Sequence, residues 1–256
     1  MQEKLNEIIE KDSKREIPVF KKIRAGFIQE LAQKIAKNTN TPVKIAIAGE
    51  SASGKTSFAN HVIKVCESFN QPNLITMISC DNYYKPLKNK IKGETLLDYL
   101  KRTGHDLDSP DAINLSRFEE EIERLTRGET IQTSRWDFKT SQLIENDEEK
   151  KPAKIILAEG LFTLINGVSD IFDVRIYVHR KHKSIKRHWF ERALQRFNSA
   201  EETDYVWNRV KQGSKQFIRP SQENADLIIN RRASKESREA VIKEIFEVIA
   251  GFQPAN

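Results

Sequence analysis

Residues Gly49-Glu50-Ser51-Ala52-Ser53-Gly54-Lys55-Thr56 spell G-x-x-x-x-G-K-T, and few short patterns constrain a fold as tightly. An apolar, partly β-branched run, Val43 to Ala48, precedes the motif, and a helix-compatible stretch, Ser57 to Phe69, follows it. Strand, loop and helix in that order aim backbone N–H groups and a helix N-terminus at an anion. Ordinary residue frequencies give an accidental match on the order of 1% of the time in a chain this long. A glycine-rich turn alone does not account for Lys-Thr at the helix start. All eight residues are therefore expected around the phosphates of a purine nucleoside triphosphate. Lys55 reaches the β- and γ-phosphates, and the Thr56 hydroxyl is placed for Mg²⁺.

A phosphate loop belongs in an α/β domain, and the rest of the chain reads as one. Short apolar runs at Leu74–Ser79, Lys154–Ala158, Val174–Val178 and Ala225–Ile229 join Val43–Ala48 as strands. Helical patterns lie between them, at about Thr95–Arg102, Leu115–Arg127, Lys183–Arg196 and Asp204–Phe217, and a last amphipathic helix spans Lys235–Ile249. This alternation predicts a P-loop NTPase three-layer fold with a mostly parallel, five-stranded sheet covered on both faces. Leu5, Ile8, Ile9, Phe27, Leu31 and Ile35 recur at helical spacing, with Pro18 separating two pieces. The expected organisation is an N-terminal helical extension at 1–41 and a catalytic domain at 42–256 with an arginine-containing lid at about 182–204. Glu145 to Lys151 reads as a charged surface loop.

The 256 residues are enough for one such domain with a sizeable core. No apolar run approaches the roughly 20 residues that span a bilayer. Met1-Gln2-Glu3-Lys4 lacks the apolar core of a secretion signal, and two cysteines make neither a disulfide framework nor a metal cluster. The expected compartment is the cytoplasm. Net charge is +6, from 43 basic and 37 acidic residues. A triphosphate site accounts for the basic stretch Arg180–Arg196 with fewer assumptions than nucleic acid, and no basic run is interleaved with stacking aromatics. The expected partner is a small-molecule hydroxyl acceptor, with no nucleic acid and no membrane; homo-oligomerisation is left open.

In open parallel sheets ligands sit beyond the C-terminal strand ends. Reading those ends adds Asp81 after the second strand and Glu159 after the run at 154–158. Phosphoryl transfer needs Mg²⁺ bridging β- and γ-oxygens and a carboxylate to orient or deprotonate the acceptor. Thr56, Asp81 and Glu159 supply oxygen ligands for the metal, and Asp81 a base. The alternatives are a turn residue for Asp81 and a surface acid for Glu159. Arg187, Arg192 and Arg196 recur at nearly one helical face, either as a triphosphate clamp or as a solvated basic face. Trp136 is a stacking platform or a core aromatic. His105 reads as a loop histidine, Trp189 and Phe190 as packing, Cys66 as core, and Cys80 as a thiol open to oxidation beside Asp81.

These stretches resemble the uridine kinase branch of the uridine kinase and phosphoribulokinase family. The matches are G-E-S-A-S-G-K-T at 49–56, I-S-C-D-N-Y-Y-K at 78–85, D-S-P-D-A-I-N-L at 108–115, R-W-D-F at 135–138, I-I-L-A-E-G-L-F at 155–162, D-V-R-I-Y-V at 173–178 and R-P-S-Q-E-N-A-D-L-I-I at 219–229. The resemblance implies an ATP-dependent kinase with Mg²⁺. It implies Asp81 as catalytic base, Glu159 and Thr56 at the metal, Asp108 on the acceptor's sugar hydroxyls, and Tyr84 and Trp136 beside the acceptor. In the lid, Arg187 and Arg196 align with family arginines and are expected to be catalytic, while Arg192, one position out of register, is expected on the nucleotide. The chain also departs from the pattern. Uridine kinases carry a Tyr and a His that contact the base in the segment aligned with Arg135–Leu143, where this chain has Trp136 and Ser141. The His before Pro-Asp-Ala is here Ser109. The transfer machinery is thus expected to be retained and the base pocket altered. The alternatives are another acceptor, such as a sugar phosphate or a vitamin alcohol, or a nucleotide-binding regulator with little transferase activity. A GTPase is disfavoured, since no Asn-Lys-x-Asp signature is found.

Overall fold

A computed structural model of the chain describes residues 1–37, 41–67, 74–87, 91–138, 140–193 and 199–249. The N-terminal part forms helix α1 (Gln2–Ser13), strand β1 (Phe20–Ile23) and helix α2 (Phe27–Lys37). Strand β2 (Val43–Ala48) and helix α3 (Lys55–Glu67) flank the phosphate loop, and strand β3 (Ile75–Ser79) follows. Helices α4 (Leu96–Thr103) and α5 (Leu115–Thr126) lead to strands β4 (Ile131–Asp137) and β5 (Gln142–Lys150). Strands β6 (Ile155–Gly160) and β7 (Val174–His179), helices α6 (His182–Ala193) and α7 (Ala200–Gly213), strand β8 (Leu227–Asn230) and helix α8 (Lys235–Ile249) complete the chain.

The main sheet has the order β1-β8-β7-β2-β6-β3. All five expected strands are present and parallel; the sixth, β1, adds antiparallel to β8 at the edge. Alternation along the central strands sorts the core into two layers. Ile45, Ile47, Leu157 and Ile176 pack with Phe58, Val62 and Ile242 on one face. Ala46, Ala48, Ile156 and Ala158 pack with Phe118, Ile122 and Leu125 on the other, where small strand residues let α5 approach closely. Burying each large α5 side chain contributes roughly 1.5–3 kcal/mol.

The N-terminal segment has the two expected helical pieces, and between them, after Pro18, an unexpected strand. Phe20–Ile23 pairs with β8, Phe20 opposite Ile229 and Ile23 opposite Leu227. The buried Asp12 carboxylate accepts from the backbone N–H groups of Val19 and Phe20, both at 3.0 Å, and so turns the chain out of α1 into the strand. Next to it, Arg24 Nε donates to Asp226 Oδ1 at 2.7 Å, and Asp226 also binds Arg175. A run of Phe-Lys-Lys-Ile carries no decisive period, and its exposed lysines suit an edge strand.

Glu145–Lys151 is not a surface loop. Residues through Lys150 form β5, paired with β4 as a two-stranded ribbon: Ile131 opposite Lys150, Thr133 opposite Glu148 and Trp136 opposite Leu143. Acidic residues are depleted in strands, so composition pointed to a loop. Here backbone pairing and the Arg135–Asp147 ion pair (2.9 Å) hold an otherwise exposed strand. The fourth expected helix also shifts: α7 ends at Gly213 and continues as a π-helical turn over Ser214–Ile218. Among the described residues no helix is long and apolar enough to cross a membrane.

Candidate active site

The loop between β2 and α3 is shaped by its small residues. A Cβ on Gly49 would stand 2.6 Å from Ser53 Oγ and 2.8 Å from the Val178 carbonyl oxygen, so only glycine fits there. Ala52 adopts a left-handed φ of 63°, and Ser53 N–H closes onto Glu50 O at 2.9 Å. Lys55 then opens α3 and is only 7% exposed, yet it lines the large cavity with Ser51 and Thr56. The Glu50 side chain turns elsewhere. Its carboxylate accepts from Arg219 Nε at 2.9 Å and from Ser214 Oγ, which fastens the loop to the segment after α7. Gly49, Glu50, Ala52, Ser53 and Gly54 do not line the cavity, leaving Ser51, Lys55 and Thr56 as the loop residues that do.

Three strand ends meet beside this loop. In the register, Ala48 lies opposite Gly160 and Ser79 opposite Glu159. Glu159, 2% exposed, accepts from Thr56 Oγ1 at 3.0 Å and from Ser79 Oγ at 2.8 Å. Burial pushes its carboxyl above the usual range; Lys55 opposes this and Asp81 reinforces it. Asp81 sits in the 3₁₀ turn Cys80–Tyr83 after β3. That turn presses on β6 so tightly that a Cβ on Gly160 would lie 2.3 Å from Cys80 Cβ. Cys80 itself is buried, and burial followed by Asp81 and Glu159 pushes its thiol well above the usual value, so it lacks the exposed thiolate that oxidation needs. Thr56, Asp81 and Glu159 thus converge as expected, and Ser79 joins them unforeseen.

From these residues a cavity of about 450 Å³ runs to the β4–β5 ribbon. Trp136 is both buried and part of the wall, at 4% exposure, with its ring centroid 5.1 Å from that of Tyr84. Phe138 meets Tyr84 edge-on at 6.1 Å. The Tyr84 hydroxyl donates to Leu107 O at 3.1 Å. Asp108 lines the cavity, and burial, Asp106 and Asp81, against Lys55, push its carboxyl up to about 7. Ser141 lies on the same wall, as do His105, Asp106 and Arg209, none of which was among the expected site residues.

The three lid arginines part company. Arg192 lines the cavity and its Nη2 donates to Ser51 Oγ at 3.2 Å. Arg187 does not line it: the side chain is 69% exposed and stands 3.8 Å from Glu191 on the outer face of α6. Arg196 lies outside the described residues, as does the end of the expected helix after the loop, residues 68 and 69. Trp189 and Phe190 pack as expected, on Trp207 at 5.1 and 5.7 Å.

The sequence profile of the phosphoribulokinase / uridine kinase family matches residues 44–237. Uridine kinase from Bacillus pumilus (strain SAFR-032) is 33% identical over 194 residues, covering 73% of this chain and 86% of the relative. Uridine kinase from Lactobacillus helveticus (strain DPC 4571) is 29% identical over 195 residues, covering 73% and 86%. In structure, a putative fructose transport system kinase from Silicibacter sp. TM1040 superimposes with a TM-score of 0.59, covering 79% of this chain and 96% of that one at 18% identity, which speaks to the fold alone. With the family profile matched over most of its length and a relative 33% identical over 73% of it, the chain belongs to the phosphoribulokinase / uridine kinase family.

Proposed function

We propose that the chain is an ATP-dependent kinase that transfers the γ-phosphoryl group to a hydroxyl of a small molecule, with a nucleoside 5′-hydroxyl as the default acceptor. The observation that carries this reading is one cavity lined both by Lys55, Thr56, Asp81 and Glu159 and by an aromatic wall with Asp108. The loop and Lys55 bind the triphosphate, with Arg192 and the lid arginines Arg187 and Arg196 as the clamp. Arg187 meets that role only if the exposed face of α6 turns inward. Asp81 accepts the proton of the acceptor hydroxyl, and Asp108 orients the acceptor through its sugar hydroxyls.

The donor set suits Mg²⁺. Thr56, Glu159 and Asp81 offer only hard oxygen atoms, and Glu159 is a buried carboxylate whose hydrogen-bond donors are neutral hydroxyls. Among the described residues no group of three or more His, Cys, Asp or Glu forms a cage. That agrees with an ion usually held by one or two carboxylates plus substrate phosphates. When bound, it neutralises charge on the β- and γ-oxygens. Glu159→Gln keeps the shape and removes the charge, and it should raise the Mg²⁺ concentration for half-maximal rate about tenfold or more. An unchanged Mg²⁺ titration would count against this role.

Specificity should depart from that of the uridine kinases. Trp136 offers a stacking face and one donor, and Ser141 a short hydroxyl; neither reproduces a Tyr-His pair at the same reach. Uridine and cytidine are expected to fall at least tenfold below the best acceptor in kcat/KM, about 1.4 kcal/mol of discrimination. ADP release measured over pyrimidine and purine nucleosides, sugars, sugar phosphates and vitamin alcohols tests both statements. No acceptor-dependent ADP at all would leave a nucleotide-binding regulator, and uridine at the head of the panel would overturn the specificity reading.

A further inference from the structure

The acceptor end of the cavity carries a charge pattern that phosphoryl transfer does not require. Asp106 and Asp108 both line it. The two cations on that wall already face carboxylates: Arg135 Nε donates to Asp147 Oδ2 at 2.9 Å, and Arg209 Nη1 lies 3.8 Å from Asp106 Oδ2. The other lining cations are Lys55, which opens α3 and whose charge reaches Asp108, and Arg192 on α6, which donates to Ser51 of the phosphate loop. Burial shifts the His105 imidazole toward its neutral form, against Asp106. The rest of that wall is uncharged, with apolar Trp136, Leu96, Leu100 and Val210 beside the neutral polar Asn82, Tyr84 and Ser141.

Asp106 is the hub of this pattern. Its Oδ1 accepts the Asp108 backbone N–H at 3.0 Å, and its Oδ2 faces Arg209. We propose that Asp106 sets the charge selectivity of the acceptor pocket: it occupies Arg209 and places a second carboxylate beside Asp108, so that the pocket takes an uncharged, ring-bearing polyol and rejects phosphate monoesters. The identification of this wall as the acceptor site rests on the kinase reading. A phosphate monoester brings about −1.5 to −2 charges at pH 7. Among the described residues it would meet two acids and no unengaged guanidinium, and an anion desolvated without a partner is strongly disfavoured. Discrimination by a built-in repulsive element is an ordinary route to specificity. A flat ring, by contrast, finds the Trp136 and Tyr84 surfaces, which favour stacked or edge-on partners.

Asp106→Asn separates charge from scaffold, because the amide oxygen still accepts the Asp108 N–H while the ion pair with Arg209 is lost. In wild type, kcat/KM for the best nucleoside should exceed that for ribose 5-phosphate and ribulose 5-phosphate by about 100-fold or more. In Asp106→Asn the gap should narrow at least about tenfold through tighter pentose phosphate binding, with KM for ATP within about twofold. Asp106→Ala, which also removes the acceptor for Asp108 N–H, should weaken both classes of acceptor. Wild type using a pentose phosphate as well as a nucleoside, or a ratio unchanged in Asp106→Asn, overturns the proposal. Calorimetry with ribose 5-phosphate, after saturating the phosphate loop with Mg²⁺ and a non-hydrolysable ATP analogue, gives a second reading free of turnover. Binding to Asp106→Asn and not to wild type supports the proposal even if no acceptor is phosphorylated and the kinase reading fails. Equal binding to both, or binding to neither, overturns it.

Discussion

Asp81→Asn is expected to lower kcat for acceptor phosphorylation by roughly 10²–10⁴ while ATP affinity changes only a few-fold, the range for loss of a positioned general base. The substitution is isosteric, so the turn that carries it should persist. That turn is fixed independently, by the close packing of Cys80 on Gly160 and by buried Tyr83, whose hydroxyl donates to Glu121 Oε2 at 2.5 Å. An Asn side chain keeps one oxygen for a metal-bound water or hydroxyl but cannot take the proton. The loss should therefore appear in kcat more than in KM for ATP, which separates chemistry from binding. Acceptor-dependent ADP release and ATP-analogue titration measure the two. Normal transfer by the Asn variant would reduce Asp81 to a turn residue.

The parallel core was legible because its strands are short apolar runs that need no partner to be recognised, and because ligands gather at the C-terminal ends of such strands. Thr56, Asp81 and Glu159 could thus be named from position alone. Ser79 could not. Its role depends on pairing opposite Glu159 across β3 and β6, and register is a property of two strands rather than one. Asp106 was hidden for a similar reason: only the fold brings Arg209, a hundred residues on, to its carboxylate. The β4–β5 ribbon and the edge strand β1 were missed because their residues carry charge where strands usually carry branched apolar side chains. In the lid, spacing placed the arginines near one face without saying which face turns inward. The buried residues Ile185, Trp189 and Ala193 define the inner side of α6. At about 100° per residue, Arg187 lies about 160° from Trp189 and Arg192 only about 60°. Arg192 therefore borders the cavity and Arg187 faces solvent.

Lys55→Ala is expected to reduce turnover by roughly 10²–10³, the usual loss when one fixed electrostatic group is removed from a transition state. Lys55 is held at the first position of α3 and nearly buried, so its ammonium is directed into the cavity rather than into solvent. Its charge acts within the same cluster as Glu159 and Asp108, lowering the proton affinity of both carboxyls. Removing it therefore has two consequences. On the proposed reading, negative charge on the phosphates loses a fixed counter-charge, and the carboxyls of Asp108 and Glu159 are left without the cation that offsets them. The second effect raises the proton affinity of the groups meant to stay ionised, so the variant's rate should rise with pH more steeply than that of wild type across the neutral range. Lys55→Arg should recover little, because a planar fork does not occupy the position of a compact ammonium in so closed a site. Steady-state rates of all three proteins at several pH values decide the matter. Turnover of Lys55→Ala within a few-fold of wild type would mean that the loop does not bind the transferred phosphoryl group.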